Sequence, residues 1–160
     1  MRYIPIVLND LLDDAVQQTK PDAFEVEKHV TLHLPQSECI LVCDELWLSE
    51  CMIVLLENAI EHADKKKDIV VSLSEQDGYY HIDVISTGMI PELDTGRNIF
   101  ERFYTSNIGH FGIGLHMAQE IAAAHHGSLS AMNHPQDNTV SFNLVLPILQ
   151  DERAYSVTGL

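Results

Sequence analysis

Basic side chains are scarce in this sequence of 160 residues: nine Lys and Arg stand against 24 Asp and Glu, for a formal net charge of −15. Because such a surface repels phosphate backbones and anionic headgroups, neither nucleic acid nor an anionic membrane is expected as the principal partner. No apolar run approaches the length of a membrane span, and the N-terminus lacks the core of a signal peptide. We therefore expect a cytoplasmic domain without membrane contact of its own, which leaves a membrane-anchored parent protein open.

Cysteine is also scarce, and repeats and low-complexity segments are missing. Cys39, Cys43 and Cys51 are odd in number, lie in or beside apolar runs and lack the paired spacing of a metal site. We expect reduced, buried thiols. With 46% hydrophobic residues, the chain is long enough to bury one core. The prediction is one domain over residues 1–150 and a polar tail over residues 151–160.

The most informative stretch is a predicted helix over residues 44–63, DELWLSECMIVLLENAIEHA. Asp44 and Glu45 suit a helix start, and apolar residues then dominate for four turns. Asn58 and His62 interrupt them on one face, four residues apart. A buried amide needs hydrogen-bond partners, so Asn58 is either a bonded core residue or a ligand-binding one. The helix alone favours the core interpretation.

The remaining pattern alternates strands and helices. A second and a third helix are predicted over residues 4–19 and 112–126, a loop over 86–97, and a short aromatic helical turn over 99–104. Strands are predicted at residues 26–34, 40–42, 69–73, 79–85, 128–132 and 140–146. This order predicts an α/β two-layer sandwich, with a mixed, mostly antiparallel sheet covered by helices on one face.

Two turns stand where a ligand could be held. Gly109, Gly112 and Gly114 form a glycine-rich loop that opens into a predicted helix. Glycines let a backbone approach phosphate, and the free N–H groups of a helix start favour negative charge there. The alternative is that these glycines only make the turn. The other candidate is the tight turn over residues 86–91, directly after a strand.

Together these motifs follow the order and approximate spacing of a known family. They read LLENAIEH over residues 55–62, NIFERFYTS over 98–106, and GHFGIGLHMAQEIAAAHHG over 109–127. The sequence resembles the ATP-binding catalytic domain of bacterial two-component sensor histidine kinases, over about residues 4–147. The resemblance implies the Bergerat ATP-binding fold that these kinases share with gyrase, Hsp90 and MutL. It also implies ATP and Mg²⁺ as cofactors.

The resemblance assigns roles to individual residues. Asn58 matches the asparagine that coordinates the Mg²⁺ bridging the ATP phosphates, and an amide oxygen suits that ion. Arg102 is a second catalytic candidate, with a surface ion pair as its alternative. The implied nucleotide-binding residues are Asn58, His62, Ser86, Gly88, Ile90, Phe103, Tyr104, Gly109, Gly112, Ile113, Gly114 and Leu115.

Departures from the family pattern keep a second function open. The family's first glycine box reads Asp-x-Gly-x-Gly, and its Asp accepts a hydrogen bond from the adenine amino group. Here Ser86 occupies that position and the second glycine is missing. Glu61 stands where a phosphate-binding Lys is common, and Val54 replaces a second polar residue. The alternative to a working kinase domain is therefore a degenerate docking or regulatory module without turnover.

The phosphate acceptor is expected outside this chain. These kinases phosphorylate a His on a dimerisation domain, but residues 29–35 have only the His-to-Pro spacing of that motif, in a predicted strand and without its acid. His125 and His126 are interpreted as a helix C-terminus that tolerates positive charge. The expected partners are the dimerisation domain of the same kinase and a downstream response regulator. We expect the chain to be the excised catalytic domain, transferring the ATP γ-phosphate.

Overall fold

The computed structural model describes residues 1–63, 68–101 and 114–148. Seven strands and three α-helices occur in these ranges, with one short 3-10 helix at Pro91–Thr95. In chain order they are β1 Ile4–Val7, α1 Leu8–Glu25, β2 His29–His33, β3 Ile40–Cys43, α2 Glu45–His62, β4 Asp68–Gln76, β5 Tyr79–Thr87, α3 Gly114–Ala124, β6 Ser128–His134 and β7 Thr139–Pro147.

The main sheet has five strands in the order β2-β4-β5-β7-β6. The β2–β4 pair is parallel and the other three pairs are antiparallel, so the predicted mixed, mostly antiparallel sheet is confirmed. Strands β1 and β3 pair separately as a two-stranded antiparallel sheet, which the sequence pattern did not predict.

Strict alternation divides the main sheet into two faces. On the inner face of β5, Tyr80, Ile82, Val84 and Ser86 are buried, and they belong to the layer that meets the helices. On the outer face Asn143 of β7 donates a hydrogen bond to its cross-strand neighbour, the Asp83 carboxylate, at 2.7 Å. One buried core therefore lies between the helices and a single face of the sheet, as predicted.

Helix α2 runs through this core and has the bounds that the sequence predicted. The Asp44 carboxylate accepts the Trp47 N–H at 3.0 Å, which caps the helix. Seven of its side chains are buried, from Leu48 to Ile60. At the other end the Lys28 ammonium donates to the Ile60 carbonyl, one of the groups that a helix end leaves without a partner.

The N-terminal region corrects the predicted helix over residues 4–19. Ile4–Val7 is a strand, because it finds a partner in β3, more than thirty residues away, that local periodicity cannot reveal. The helix then continues past Pro21 to Glu25, since Ala23 is buried in the core and its packing outweighs the missing N–H of proline. Strand β2 also begins later than predicted, after a left-handed turn at Glu27.

Two further bounds differ from the prediction. The loop expected from residue 86 begins later, because Ser86 and Thr87 pair with Val140 and Thr139 of β7. Helix α3 ends at Ala124, and the left-handed residue behind it is His126, with φ of 61°. Gly127, predicted as the helix stop, is needed for another reason: an added Cβ would lie 2.1 Å from the Val145 carbonyl oxygen.

Several other expectations meet the described ranges. All three cysteines are free and buried, as predicted, and burial raises the pKa of the Cys43 and Cys51 thiols to about 12. No helix within these ranges is both long and apolar enough to span a membrane. The predicted tail over residues 151–160 and the second half of the aromatic turn, residues 102–104, lie outside the described residues.

Candidate functional site

The packing of α2 against α3 fixes the position of Asn58. The Cys51 thiol lies 3.6 Å from the Ala118 carbonyl oxygen, and one turn further along α2 the Val54 side chain faces Gly114. The two helices are therefore antiparallel, and Gly114 at the start of α3 lies beside Val54. Asn58 follows Val54 by one turn, so it lies beyond the first residue of α3.

The Asn58 side chain is half-buried and makes no hydrogen bond to any residue in the described part of the chain. Amides in such positions nearly always have a hydrogen-bond partner. The described residues provide none for Asn58, which disfavours its interpretation as a hydrogen-bonded core residue. An amide with a free oxygen and two free N–H donors next to a helix N-terminus is instead equipped to bind a ligand.

A second buried polar group lies at the end of β5. Ser86 is only 4% exposed and occupies the last inward-facing position of that strand. Its hydroxyl has no hydrogen-bond partner among the residues that the structure describes. Leaving such a hydroxyl without a partner costs about 1–3 kcal/mol, and a bound ligand would recover that cost.

Aromatic packing joins β7 to the first turn of α3. Phe142 of β7 meets the Phe100 ring edge to face at 6.1 Å between centroids. The Phe100 carbonyl in turn accepts a hydrogen bond from His116 Nδ1, in the first turn of α3, at 3.2 Å. The cross-strand neighbour of Phe142 is Val84, two residues before Ser86 on the same face of β5.

The turn after β5 is bonded to the β6–β7 hairpin. Gly88 has φ of +103°, which only glycine adopts readily, and its N–H donates to the Asn138 carbonyl at 2.7 Å. Both backbone groups of Ile90 bond to the Asn133 side chain. These backbone groups are bonded within the protein, so the nucleotide-binding role of Gly88 and Ile90 stays a prediction, and Asn133 is a residue that the sequence analysis missed.

The other predicted site residues lie at the start of α3, at the end of α2 or outside the described residues. Gly114 and Leu115 are half-buried in the first turn of α3, where free N–H groups and the helix dipole favour an anion. His62 is exposed at the end of α2, one turn beyond Asn58. Six predicted site residues lie outside the described residues, namely Arg102, Phe103, Tyr104, Gly109, Gly112 and Ile113.

Negative charge gathers on the side of α2 next to Asn58. The pKa of Glu57 is raised, first by its partial burial and then by the nearby acids Glu50, Asp22 and Glu61. Such a field opposes a polyanion that arrives without a cation.

His125 corrects the expectation of a charge-tolerating helix end. Its ring is 1% exposed, Nε2 accepts the Asp44 N–H at 3.0 Å, and Nδ1 donates to the Ile121 carbonyl at 2.8 Å. Both bonds fit one neutral tautomer, and burial lowers the pKa of this histidine. His125 joins α3 to the start of α2 and is structural.

Comparisons with known proteins place this geometry in context. A family model described as histidine kinase-, DNA gyrase B- and HSP90-like ATPase matches residues 43–150, more than half of the chain. The sensor protein DltS of Streptococcus agalactiae is 28% identical over 131 residues, which are 79% of this chain and 32% of that protein. The sensor-like histidine kinase SenX3 of Mycolicibacterium smegmatis is 26% identical over 155 residues, 93% of this chain and 40% of that protein. The chain thus spans well under half of these relatives.

Solved structures agree on the fold. The catalytic domain of histidine kinase ThkA superimposes with a TM-score of 0.81 at 21% identity, over 92% of this chain and 97% of that one. Full-length ShkA in complex with AMPPNP superimposes with a TM-score of 0.80 at 20% identity, over 93% of this chain and 32% of that one. With this fold, and with the family model matched over most of the sheet and both α2 and α3, the chain belongs to the histidine kinase-, DNA gyrase B- and HSP90-like ATPase family.

Proposed function

We propose that this chain binds Mg·ATP between α2 and the start of α3, and that it transfers the γ-phosphate to a histidine on a dimerisation domain outside the chain. The observation that carries the proposal is the Asn58 amide, half-buried beside the start of α3 and without a hydrogen bond to any described residue. A ligand that satisfies this amide accounts for its position.

The residues present fit a magnesium ion. The Asn58 carbonyl oxygen is a hard ligand, and Mg²⁺ is commonly bound by one or two protein oxygens together with phosphates and water. The ion would supply neutralisation of phosphate charge, which the acids around Glu57 make necessary. Asn58 would hold the metal, and its Nδ2 would remain free to donate to a phosphate oxygen.

The start of α3 is the proposed phosphate site. Its first-turn N–H groups have no partner within the helix, so they are available to an anion. These residues position the phosphate chain, and positioning with charge neutralisation is what phosphoryl transfer requires of a protein. Arg102, Phe103, Tyr104 and Ile113 remain predicted contacts on the same side.

Ser86 is the proposed contact to the nucleotide base. Its buried hydroxyl can accept a hydrogen bond from an amino group, as the family's aspartate does. A neutral acceptor is weaker than a carboxylate, so base recognition is expected to be weaker here than in relatives that have the acid.

The names of the similar proteins support the kinase assignment. SenX3 is called a sensor-like histidine kinase, and ThkA has been solved in complex with the response regulator TrrA. We propose corresponding partners for this chain, namely the dimerisation domain of its own kinase and a response regulator. The transfer step moves the phosphoryl group from ATP to a histidine nitrogen, and ADP leaves.

A second candidate function is a docking module without turnover. Ser86 in place of an acid and Glu61 in place of a basic residue favour it. The two functions differ in one measurable property, because only the kinase domain needs to bind Mg·ATP.

Isothermal calorimetry with Mg·ATP tests the proposal. Wild-type protein is expected to bind, and Asn58→Ala is expected to lose binding while it keeps its circular dichroism spectrum. Asn143→Ala is the matched control, because it removes the same side chain from the outer face of the sheet. Equal affinity in Asn58→Ala and wild type would overturn the assignment of Asn58. A wild-type protein that does not bind Mg·ATP would favour the docking module.

Transfer is tested separately from binding. The chain, [γ-³²P]ATP and the dimerisation domain of its parent kinase are incubated together, and acid-labile phosphate on that domain is measured. Labelling by wild type and none by Asn58→Ala is expected. Binding without any labelling would reject the transfer and retain the nucleotide site.

A further inference from the structure

The segment from Gly88 to Asp94 is fastened to the β6–β7 hairpin by one side chain. Asn133 of β6 is 8% exposed and uses its whole amide. Its Oδ1 accepts the Ile90 N–H at 2.9 Å, and its Nδ2 donates to the Ile90 carbonyl at 2.7 Å and to the Asp94 carboxylate at 3.1 Å. The pattern resembles a strand pair, with a side chain in place of one backbone.

The chemistry of this clamp, formed by Asn133, Ile90 and Asp94, requires an amide. The side chain must accept from one backbone N–H and also donate to two oxygen atoms. Only Asn or Gln provides an acceptor and two donors, and the longer Gln would shift the contacts. A carboxylate at position 133 would face the Ile90 carbonyl and the Asp94 carboxylate with no donor.

The clamp lies at the point where this sequence departs from its family. Ser86, the proposed base contact, is the last inward-facing residue of β5, and the second glycine of the family's turn is missing after Gly88. The Gly88 N–H and both Ile90 backbone groups are bonded to the hairpin. The conformation of the shortened turn that follows Ser86 is therefore fixed by the hydrogen bonds between this turn and the β6–β7 hairpin.

We propose that Asn133 is a positioning residue for the base side of the nucleotide site, acting through the segment from Gly88 to Asp94. This inference rests on the proposed function, since it assumes that a nucleotide base is bound beside Ser86. The Ile90 side chain is partly buried against the core, so the clamp also keeps it in place next to that base.

The experiment compares Asn133→Asp with Asn143→Asp. Asn143 is a close match, because its Nδ2 also donates to an aspartate, Asp83, but on the outer face of the sheet. For each variant the dissociation constants of Mg·ATP and of Mg·tripolyphosphate, which has no base, are measured by displacement of a labelled nucleotide. If Asn133→Asp does not fold, Asn133→Ser takes its place, since a hydroxyl can retain one bond to Ile90.

Asn133→Asp is expected to weaken Mg·ATP by about tenfold, the value of one well-placed hydrogen bond, and to leave tripolyphosphate within about twofold. Asn143→Asp is expected to change neither. Adding Asp94→Asn to Asn133→Asp is expected to recover only part of the loss, because the new amide at position 94 donates to the new carboxylate while the Ile90 carbonyl still has no donor.

Three results would overturn the inference. Unchanged ATP affinity in Asn133→Asp would mean that the clamp does not position the base side. An equal loss for ATP and tripolyphosphate would mean that Asn133 supports the fold as a whole. A wild-type protein that binds tripolyphosphate but shows no gain from the adenosine of ATP would reject the base site itself, and with it that part of the proposed function.

Discussion

Asn58 on α2 and Asn133 on β6 carry the same side chain on two sides of the candidate site, but they differ in hydrogen bonding. Both polar side-chain atoms of Asn133 bond to the segment from Ile90 to Asp94. The Asn58 amide has no bond to a described residue, although it is half-buried. The fold uses the Asn133 amide for its own hydrogen bonds, and we propose that the Asn58 amide serves a ligand. The hydrogen-bond partners of an amide therefore indicate its role better than its burial does.

Substitution of Asn58 tests the ligand side of this comparison and has the largest expected effect. Asn58→Ala is expected to weaken Mg·ATP by at least about a hundredfold, because a metal ligand and a phosphate contact are lost together. Asn58→Asp keeps an oxygen ligand and is expected to change the Mg²⁺ concentration needed for half-maximal binding. Calorimetry across a magnesium series measures both. Unaltered magnesium dependence in Asn58→Asp would argue against a metal contact.

Substitution of Asn133 tests the structural side. Asn133→Ala leaves the Ile90 N–H and carbonyl without their partner, and the free energy of unfolding should fall by about 1–3 kcal/mol. Urea denaturation without nucleotide measures this change. Asn143→Ala, at a more open site, should cost less. If the two variants were equally stable, the hydrogen bonds of Asn133 would stabilise the fold no more than the hydrogen bond of Asn143 does.

Ser86 shares one property with each asparagine. It is buried like Asn133, and like Asn58 it has no hydrogen-bond partner among the described residues. Ser86→Asp is expected to tighten ATP by about fivefold, roughly 1 kcal/mol, because a charged acceptor replaces a neutral one. GTP should not gain, since its ring presents a carbonyl at that position. A titration in which ATP binds equally or more weakly would show that the turn has been rebuilt around another contact.

Protonation of His125, at the far end of α3, has the smallest expected effect on stability. As in Asn133, the polar side-chain atoms of His125 are all hydrogen-bonded within the protein. Its pKa is lowered in the folded protein from the ordinary 6.5, so the unfolded chain binds a proton more readily. The stability that His125 contributes is present above about pH 6.5 and is lost as pH falls below that value. Unfolding free energies at pH 7 and pH 5.5 measure it. His125→Gln should flatten the dependence, and an identical slope would exclude His125 as its cause.

Local patterns were sufficient for the elements whose signals lie within one segment. Helix α2 has an acidic cap and four apolar turns. The antiparallel pairs β4–β5 and β6–β7 were predicted from strand alternation and turn residues. Strand β1 was misassigned as helix because its partner β3 is distant in sequence. The continuation of α1 past Pro21 was missed for a related reason, since burial of Ala23 compensates for a residue that local rules treat as a stop.

In the candidate site, too, the sequence predicted residues that belong to local motifs and missed contacts between distant residues. The motifs selected Asn58, Ser86 and Gly114 from the sequence, and in the structure Val54, one turn before Asn58, faces Gly114 at the start of α3. Asn133 could not be found, because its partners are backbone atoms 43 residues away that have no signature in the sequence. The involvement of Gly88 in a bond to Asn138 was hidden for the same reason. The predicted contacts over residues 102–113 lie outside the described residues and stay predictions.

The central claim is that the Asn58 amide serves Mg·ATP and contributes no hydrogen bond to the fold. Urea denaturation of wild type and Asn58→Ala, each with and without saturating Mg·ATP, tests it most directly, because a ligand stabilises only the protein that binds it. We expect nearly equal stability without nucleotide, and a gain with Mg·ATP for wild type alone. A variant that is much less stable without nucleotide, or that is stabilised by Mg·ATP as strongly as wild type, would contradict it.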